Sequence, residues 1–276
     1  MGARPEEKSI SLNLSSKVAI VTGAARGIGR AIALALAREG ADIGIAARTD
    51  SESTDRPGSI HSVAAEVRAL GRRAVAVRTD VSQEQDVRMM VDTIVQELGR
   101  IDILVNNAAA TPMYHTPLVD FPVEYWDLTM NVNLRGVFLC IKAALPHMIN
   151  RDCGNIINIS SMAAVRSGRG RIAYGVSKAG VERLTFGLAE EVKKYKLAVN
   201  SLCPIGLTDT EAARNVFPEG NPETWVKPED VAKAAVWLAR QNAGTFTGMA
   251  VTVPAGGRVL FIYGRSSGEM MWVGID

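Results

Sequence analysis

From Lys17 to Val253 the chain alternates short, continuous apolar runs with longer amphipathic ones, and this alternation restricts the fold more than any other feature. The β-prone runs are Val18–Val21, Asp42–Ala46, Ala74–Arg78, Ile101–Val105, Asn155–Ile159, Leu197–Leu202 and Met249–Val253. Between them lie helical runs. Ile28–Glu39 ends at Gly40, and Ile60, Val63, Ala64, Val67 and Leu70 share one face before Gly71. Gln83–Leu98, Pro122–Ile149, Tyr174–Tyr195 and Pro228–Arg240 follow, the second of these bent or stopped near Pro146. Strands apolar on both faces belong inside a sheet covered by helices on both sides. The expectation is an α/β, doubly wound, mostly parallel seven-stranded sheet. Right-handed crossovers put every strand's C-terminal end on one rim, where such sheets bind ligands.

The bulk properties agree. Apolar residues make up 47% of the 276, enough for one large core, and the net charge of +2 excludes the dense basic face of a nucleic-acid binder. Cys140, Cys153 and Cys203 show no paired spacing, which fits a reducing, cytoplasmic setting. Met1–Lys8 lacks the apolar stretch of a signal peptide, and no apolar run approaches the ~20 residues of a membrane helix. The chain divides into a polar arm at 1–16, one domain at 17–257, and an apolar tail at 258–276. In the tail, Val259–Tyr263 and Glu269–Val273 flank a glycine-containing turn, as in a hairpin.

Thr22-Gly23-Ala24-Ala25-Arg26-Gly27-Ile28-Gly29 joins the first strand to the first helix. Gly23, Gly27 and Gly29 remove Cβ atoms where the chain turns sharply, and the N–H groups of Ile28 and its neighbours open the helix toward a phosphate. The spacing is G-x-x-x-G-x-G rather than G-x-G-x-x-G, so the turn alone is also consistent with a tight loop. The second strand ends Ala46-Ala47-Arg48, an arginine where an acid would bind a ribose 2′-hydroxyl. Arg48, with Arg26 nearby, points to the 2′-phosphate of NADP(H). Asp50, two residues on, leaves NAD(H) open.

Tyr174 and Lys178 stand four apart at a helix start and so share a face. A lysine cation favours tyrosinate, bringing the phenol into range for acid/base work. Ser161 follows the fifth strand and is placed to hold a substrate oxygen beside Tyr174. His115 is read as a rim histidine, His61 and His147 as structural, and no cluster has metal-ligand spacing.

Thr22–Gly29, Asp80-Val81, Asn106-Asn107-Ala108-Ala109, Asn133, Ser160-Ser161 and Tyr174-Gly175-Val176-Ser177-Lys178 stand in the order seen in the short-chain dehydrogenase/reductase family. The resemblance spans roughly Lys17 to Gly257 and implies a Rossmann-type fold. It implies that Asp80 and Val81 contact the adenine and that Asn107 sits near the adenosine ribose. It implies that Asn133 bends its helix, holds a water and links Lys178 to solvent, and that Lys178 also binds the nicotinamide ribose. Leu207 and Thr208 would hold the carboxamide, and the segment after Thr210, with Phe217 and Trp225, would form a substrate lid. It further implies a homodimer or homotetramer built on the helices Val123–Ile149 and Tyr174–Tyr195. The chain departs from the family at Ala109, where glycine is usual, at Pro204-Ile205-Gly206, and at Pro254-Ala255-Gly256-Gly257, which lacks the usual aspartate. The implied activity is hydride transfer between NADP(H) and a small-molecule carbonyl or secondary alcohol, with Tyr174 as general acid/base. A non-catalytic nucleotide sensor on the same fold is the alternative, and epimerase or dehydratase chemistry a lesser one.

Overall fold

β1, Val18–Thr22, is buried along its whole length, as an interior strand of a doubly covered sheet must be. A computed structural model describes residues 13–52, 57–112, 115–256, 259–264 and 272–273, the last two stretches as backbone only. β2 (Asp42–Ala47), β3 (Ala74–Arg78), β4 (Ile103–Asn106), β5 (Gly154–Ile159), β6 (Leu197–Pro204) and β7 (Met249–Val253) join β1 in a parallel sheet. The order is β3-β2-β1-β4-β5-β6-β7, so the winding reverses between β1 and β4. A crevice therefore opens at the ends of these two strands. β8 (Val259–Gly264) lies antiparallel on β7, and β9 (Trp272–Val273) antiparallel on β8, extending the seven parallel strands to nine. The turn between β8 and β9 lies outside the described residues.

Helices α1 (Gly27–Arg38), α2 (Ile60–Ala69) and α8 (Pro228–Ala239) cover one face. Helices α3 (Glu84–Leu98), α5 (Gly136–Ile149) and α6 (Ile172–Val192) cover the other. Each layer has its own apolar core. Ile32, Leu36, Ile60 and Val63 fill the first, and Met90, Ile94, Leu104 and Met148 the second. Leu14, within the expected polar arm, is buried in the first core and bonds through its N–H to Glu39 O; residues 1–12 lie outside the described residues.

The helix expected to be bent or stopped near Pro146 does not stop there but runs on to Ile149. Proline removes only one hydrogen bond there, and the last turn tolerates the loss because it has few bonds left to close. The irregularity lies earlier. α4 (Val123–Met130) passes into α5 through one π-turn at Asn131–Arg135. Within that turn Asn133 is fully buried and clamps the backbone of Ala110, donating to its carbonyl at 2.9 Å and accepting from its N–H at 2.7 Å. Contrary to the expectation that no apolar run is long enough, the continuous helix Val123–Ile149 could cross a bilayer by length and composition. In this protein half of its most apolar stretch is buried, with Val137, Cys140, Ile141, Ala144 and Met148 in the second core. A short helix, α7 (Glu211–Val216), occupies the segment after β6.

Candidate active site

The glycine turn is shaped by contacts from the end of β4. The Thr22 hydroxyl accepts from the N–H groups of Asn107 and Ala108, and the Asn107 amide donates to the carbonyls of Thr22 and Gly23. Gly23 has φ +65°, and a Cβ there would stand 2.8 Å from Ala108 Cα. Gly29, the third residue of α1, sits closer still: a Cβ would lie 2.4 Å from Gly23 O. The N-terminus of α1 has no side-chain cap and no acid in its first turn. Its N–H groups and positive dipole end remain available to an anion. This cradle fits the pyrophosphate of a dinucleotide.

At the end of β2, Arg48 is exposed and makes no ion pair among the described residues. Arg26 folds toward the same point and donates to Thr49 Oγ1 at 3.2 Å and to Gly58 O at 3.0 Å. Asp50 instead pairs with His61 Nε2 at 2.8 Å, so the acid two residues past Arg48 already has a partner. At the end of β3, Asp80 accepts from the N–H and hydroxyl of Ser82. Val81 is buried against Gly136.

Beyond the crevice, Ile28, Asn107, Ser161, Tyr174, Lys178 and Thr208 line one cavity. Ser161 follows β5 and opens a single 3₁₀ turn, accepting from Ala163 N–H at 3.2 Å. Tyr174 and Lys178 lie in the first two turns of α6, on the face toward β5. Lys178 is 3% exposed, donates to Ile159 O at 2.7 Å, and lies 5.7 Å from the centre of the Tyr174 ring. Burial pushes its pKa down to about 8. Leu207 also lines the cavity and is held by a hydrogen bond from Val226 N–H to its carbonyl, beside the bridge between Thr208 and Val226.

Asn133 stands behind this cavity rather than in it. Besides Ala110, its amide donates to the Ser177 hydroxyl at 3.2 Å, one residue before Lys178. Arg26, Arg48, Asp80 and Val81 lie farther along the same rim, toward β2 and β3. The expected residues thus form a stripe from the end of β3 to the cavity at β5 and β6.

Some of the wall carries no sequence signature. Ala213 and Val216 of α7 form the far side with Phe217, whose ring meets His115 edge-on at 5.0 Å. His115 thus bridges the loop after β4 and the segment at the end of α7; Met113 and Tyr114 lie outside the described residues. Thr210 N-caps α7, and its methyl faces Gly27. An N-cap threonine ahead of Glu211-Ala212-Ala213 was the available sign of that helix. Trp225 is buried and does not line the cavity.

A family model described as short chain dehydrogenase matches residues 17–221. The 3-oxoacyl-(acyl-carrier-protein) reductase of Synechocystis is 36% identical over 254 residues, spanning 90% of this chain and 99% of the relative. Short chain dehydrogenase/reductase astE of Aspergillus oryzae is 36% identical over 261 residues, spanning 88% and 95%. Among solved structures, carveol dehydrogenase from Mycobacterium avium in complex with NAD superposes with a TM-score of 0.79 at 28% identity, covering 89% of this chain and 98% of that one.

Proposed function

Because the chain belongs to the short-chain dehydrogenase/reductase family, oxidoreductases of CH–OH and C=O groups that bind NAD(P)(H), we propose that it reduces a ketone, or oxidises the matching secondary alcohol, using NADP(H) with Tyr174 as general acid/base. The observation that carries this reading is the convergence of Ser161, Tyr174 and a buried Lys178 on one cavity beside the glycine turn. A nucleotide sensor would have no need of that convergence, and the relatives above are named as enzymes.

The bound dinucleotide supplies or accepts the hydride. The rest falls to the chain. The Ser161 hydroxyl holds the substrate oxygen, and the Tyr174 hydroxyl donates its proton to that oxygen as the carbonyl is reduced. Lys178 spends one of its three donors on Ile159 O, which leaves others for the ribose hydroxyls of the nicotinamide half. Its positive charge favours the phenolate form of the neighbouring phenol. Asn133 fixes the Ala110 turn and the Ser177 hydroxyl that flank the site, and its proposed part is in proton exchange with solvent. Asp80, Val81 and Asn107 hold the adenosine half, and Leu207 and Thr208 the carboxamide. Arg48 and Arg26 supply the charge that recognises a 2′-phosphate. Ala109, Ala213, Val216 and Phe217 make the wall facing Ser161 largely apolar, which suits a carbonyl carried on an apolar body.

The test is a panel of ketones and secondary alcohols assayed by nicotinamide absorbance with NADPH and NADH, for the wild type and Tyr174→Phe. Loss of the acid lowers turnover by roughly 10²–10⁴-fold while dinucleotide binding persists. A phenylalanine variant that keeps more than about a tenth of the activity refutes the role of Tyr174.

A further inference from the structure

The face of α6 that carries Tyr174 and Lys178 continues one turn on to Glu182, because residues four apart stack on a helix. Glu182 is partly buried, and its carboxylate accepts a hydrogen bond from the Ser201 hydroxyl at 2.7 Å. Ser201 is fully buried on β6 and pairs with Asn158 of β5, the residue before Ile159, whose carbonyl receives the Lys178 ammonium. Lys178 and Glu182 are therefore anchored to adjacent points on neighbouring strands. Both sit in a setting where a charge is felt over several ångströms. Two acidic groups, Cys203 and then Glu182, oppose the effect of burial on Lys178. Tyr174 lies above it on α6. The Cys203 thiol on β6 is pushed up to about 12 by burial and stays neutral, and Arg166, on the loop before α6, acts on that thiol with a positive charge. Glu182 and Lys178 also stabilise each other's charged forms against burial: desolvation raises the acid and lowers the base, and their mutual attraction opposes both shifts.

We propose that Glu182 is a positioning residue, whose carboxylate keeps Lys178 in the ammonium form through which Lys178 acts on Tyr174 and on the nicotinamide ribose. This rests on the reading of the site given above. The direction of the effect follows from charge. Removing the acid makes the buried ammonium easier to deprotonate, so whatever depends on it fails at a lower pH. Glu182→Gln keeps shape and hydrogen bonding and loses the charge; Glu182→Asp keeps the charge.

The test measures NADPH affinity by nicotinamide fluorescence between pH 6 and pH 10, and turnover of an active ketone over the same range, for the wild type and both variants. In Glu182→Gln the alkaline fall of both quantities moves toward acid by roughly half to one pH unit. Glu182→Asp stays near the wild-type profile. Thermal unfolding of each variant separates this from loss of packing, which lowers stability without displacing a pH limb. Glutamine profiles that superimpose on the wild type overturn the proposal, as does an aspartate variant shifted as far as the glutamine one. Either result leaves the reading of Tyr174 standing, because Tyr174→Phe tests that separately. The binding arm needs no turnover, so it reports on Glu182 even if no ketone in the panel reacts. A chain that binds neither NADPH nor NADH overturns both.

Discussion

Gly29→Ala adds a single methyl group at the most crowded glycine of the turn. Its Cβ would stand 2.4 Å from Gly23 O, 2.5 Å from the Asn107 amide nitrogen and 2.9 Å from Ala24 Cα. None of these is the loose end of a flexible side chain. Gly23 is backbone held at φ +65°, and Asn107 is pinned by its bonds to Thr22 O and Gly23 O. Overpacking of this kind costs about 1–3 kcal/mol. Releasing the Asn107 amide from one carbonyl adds about 1 kcal/mol. The better helix propensity of alanine recovers less than about 1 kcal/mol. The net destabilisation is then about 1–4 kcal/mol, or a Tm lower by roughly 2–10 °C for a domain of this size. Gly187→Ala is the control. Nothing lies within 4 Å of a Cβ at this position inside α6, so the same methyl stabilises by about 0.5–1 kcal/mol. Urea and thermal unfolding followed by circular dichroism measure both. If Gly29→Ala unfolds within about 0.5 kcal/mol of the wild type, or Gly187→Ala falls as far as Gly29→Ala, the steric account of the turn is wrong.

Other outcomes follow from the rim and the lid. Arg48→Ala weakens NADPH binding far more than NADH binding, and equal losses in fluorescence titrations would remove Arg48 as the selector. Asp209 ties together the segment that we propose as a lid, through Arg214 and Lys227, whose hydrogen bonds pull its pKa down to about 2. That tie is fully present above the ordinary aspartate range and is lost as pH falls through about 2, so Asp209→Asn at neutral pH should speed limited proteolysis within residues 211–224 several-fold; an unchanged cleavage rate would show that the tie does not restrain the lid. Phe138, Ile172 and Val176 leave apolar surface on α5 and α6. Light scattering should therefore give at least twice the 29.6 kDa chain mass, and a mass near one chain at micromolar concentration would contradict an assembly through these helices.

The seven parallel strands were legible because each is short, apolar and bounded by turn residues, and β1 to β7 all fall where those runs lie. The stripe of candidate site residues was legible for a different reason. Ser161, Tyr174 and Lys178 are types that need their chemistry, at spacings a rim and a helix face impose. The opposite wall was not. Ala213 and Val216 enter the cavity only because six residues of α7 fold across it, and a helix that short leaves almost no periodic pattern. The neighbourhood of Glu182 was equally hidden. Its place on a helix face can be read from spacing, but the partners Ser201 and Cys203 come from β6, and only the β5–β6 register brings them there. The expected stop near Pro146 went wrong because proline near a helix end has little left to disrupt.

The π-turn at Asn131–Arg135 amounts to one extra residue wound into an otherwise continuous helix. It acts as a phase adjuster. An α-helix advances about 100° per residue, so without the insertion every position from Gly136 onward would be turned by about that angle. The stripe of Val137, Cys140, Ile141, Ala144 and Met148 would then face away from the sheet, while the polar edge that carries Lys142 would swing toward it. One helix thus serves two masters: the segment before the turn is phased to α6, and the segment after it to the core. Deleting a single residue between 131 and 135 would leave composition and length nearly untouched and still put the two halves out of step.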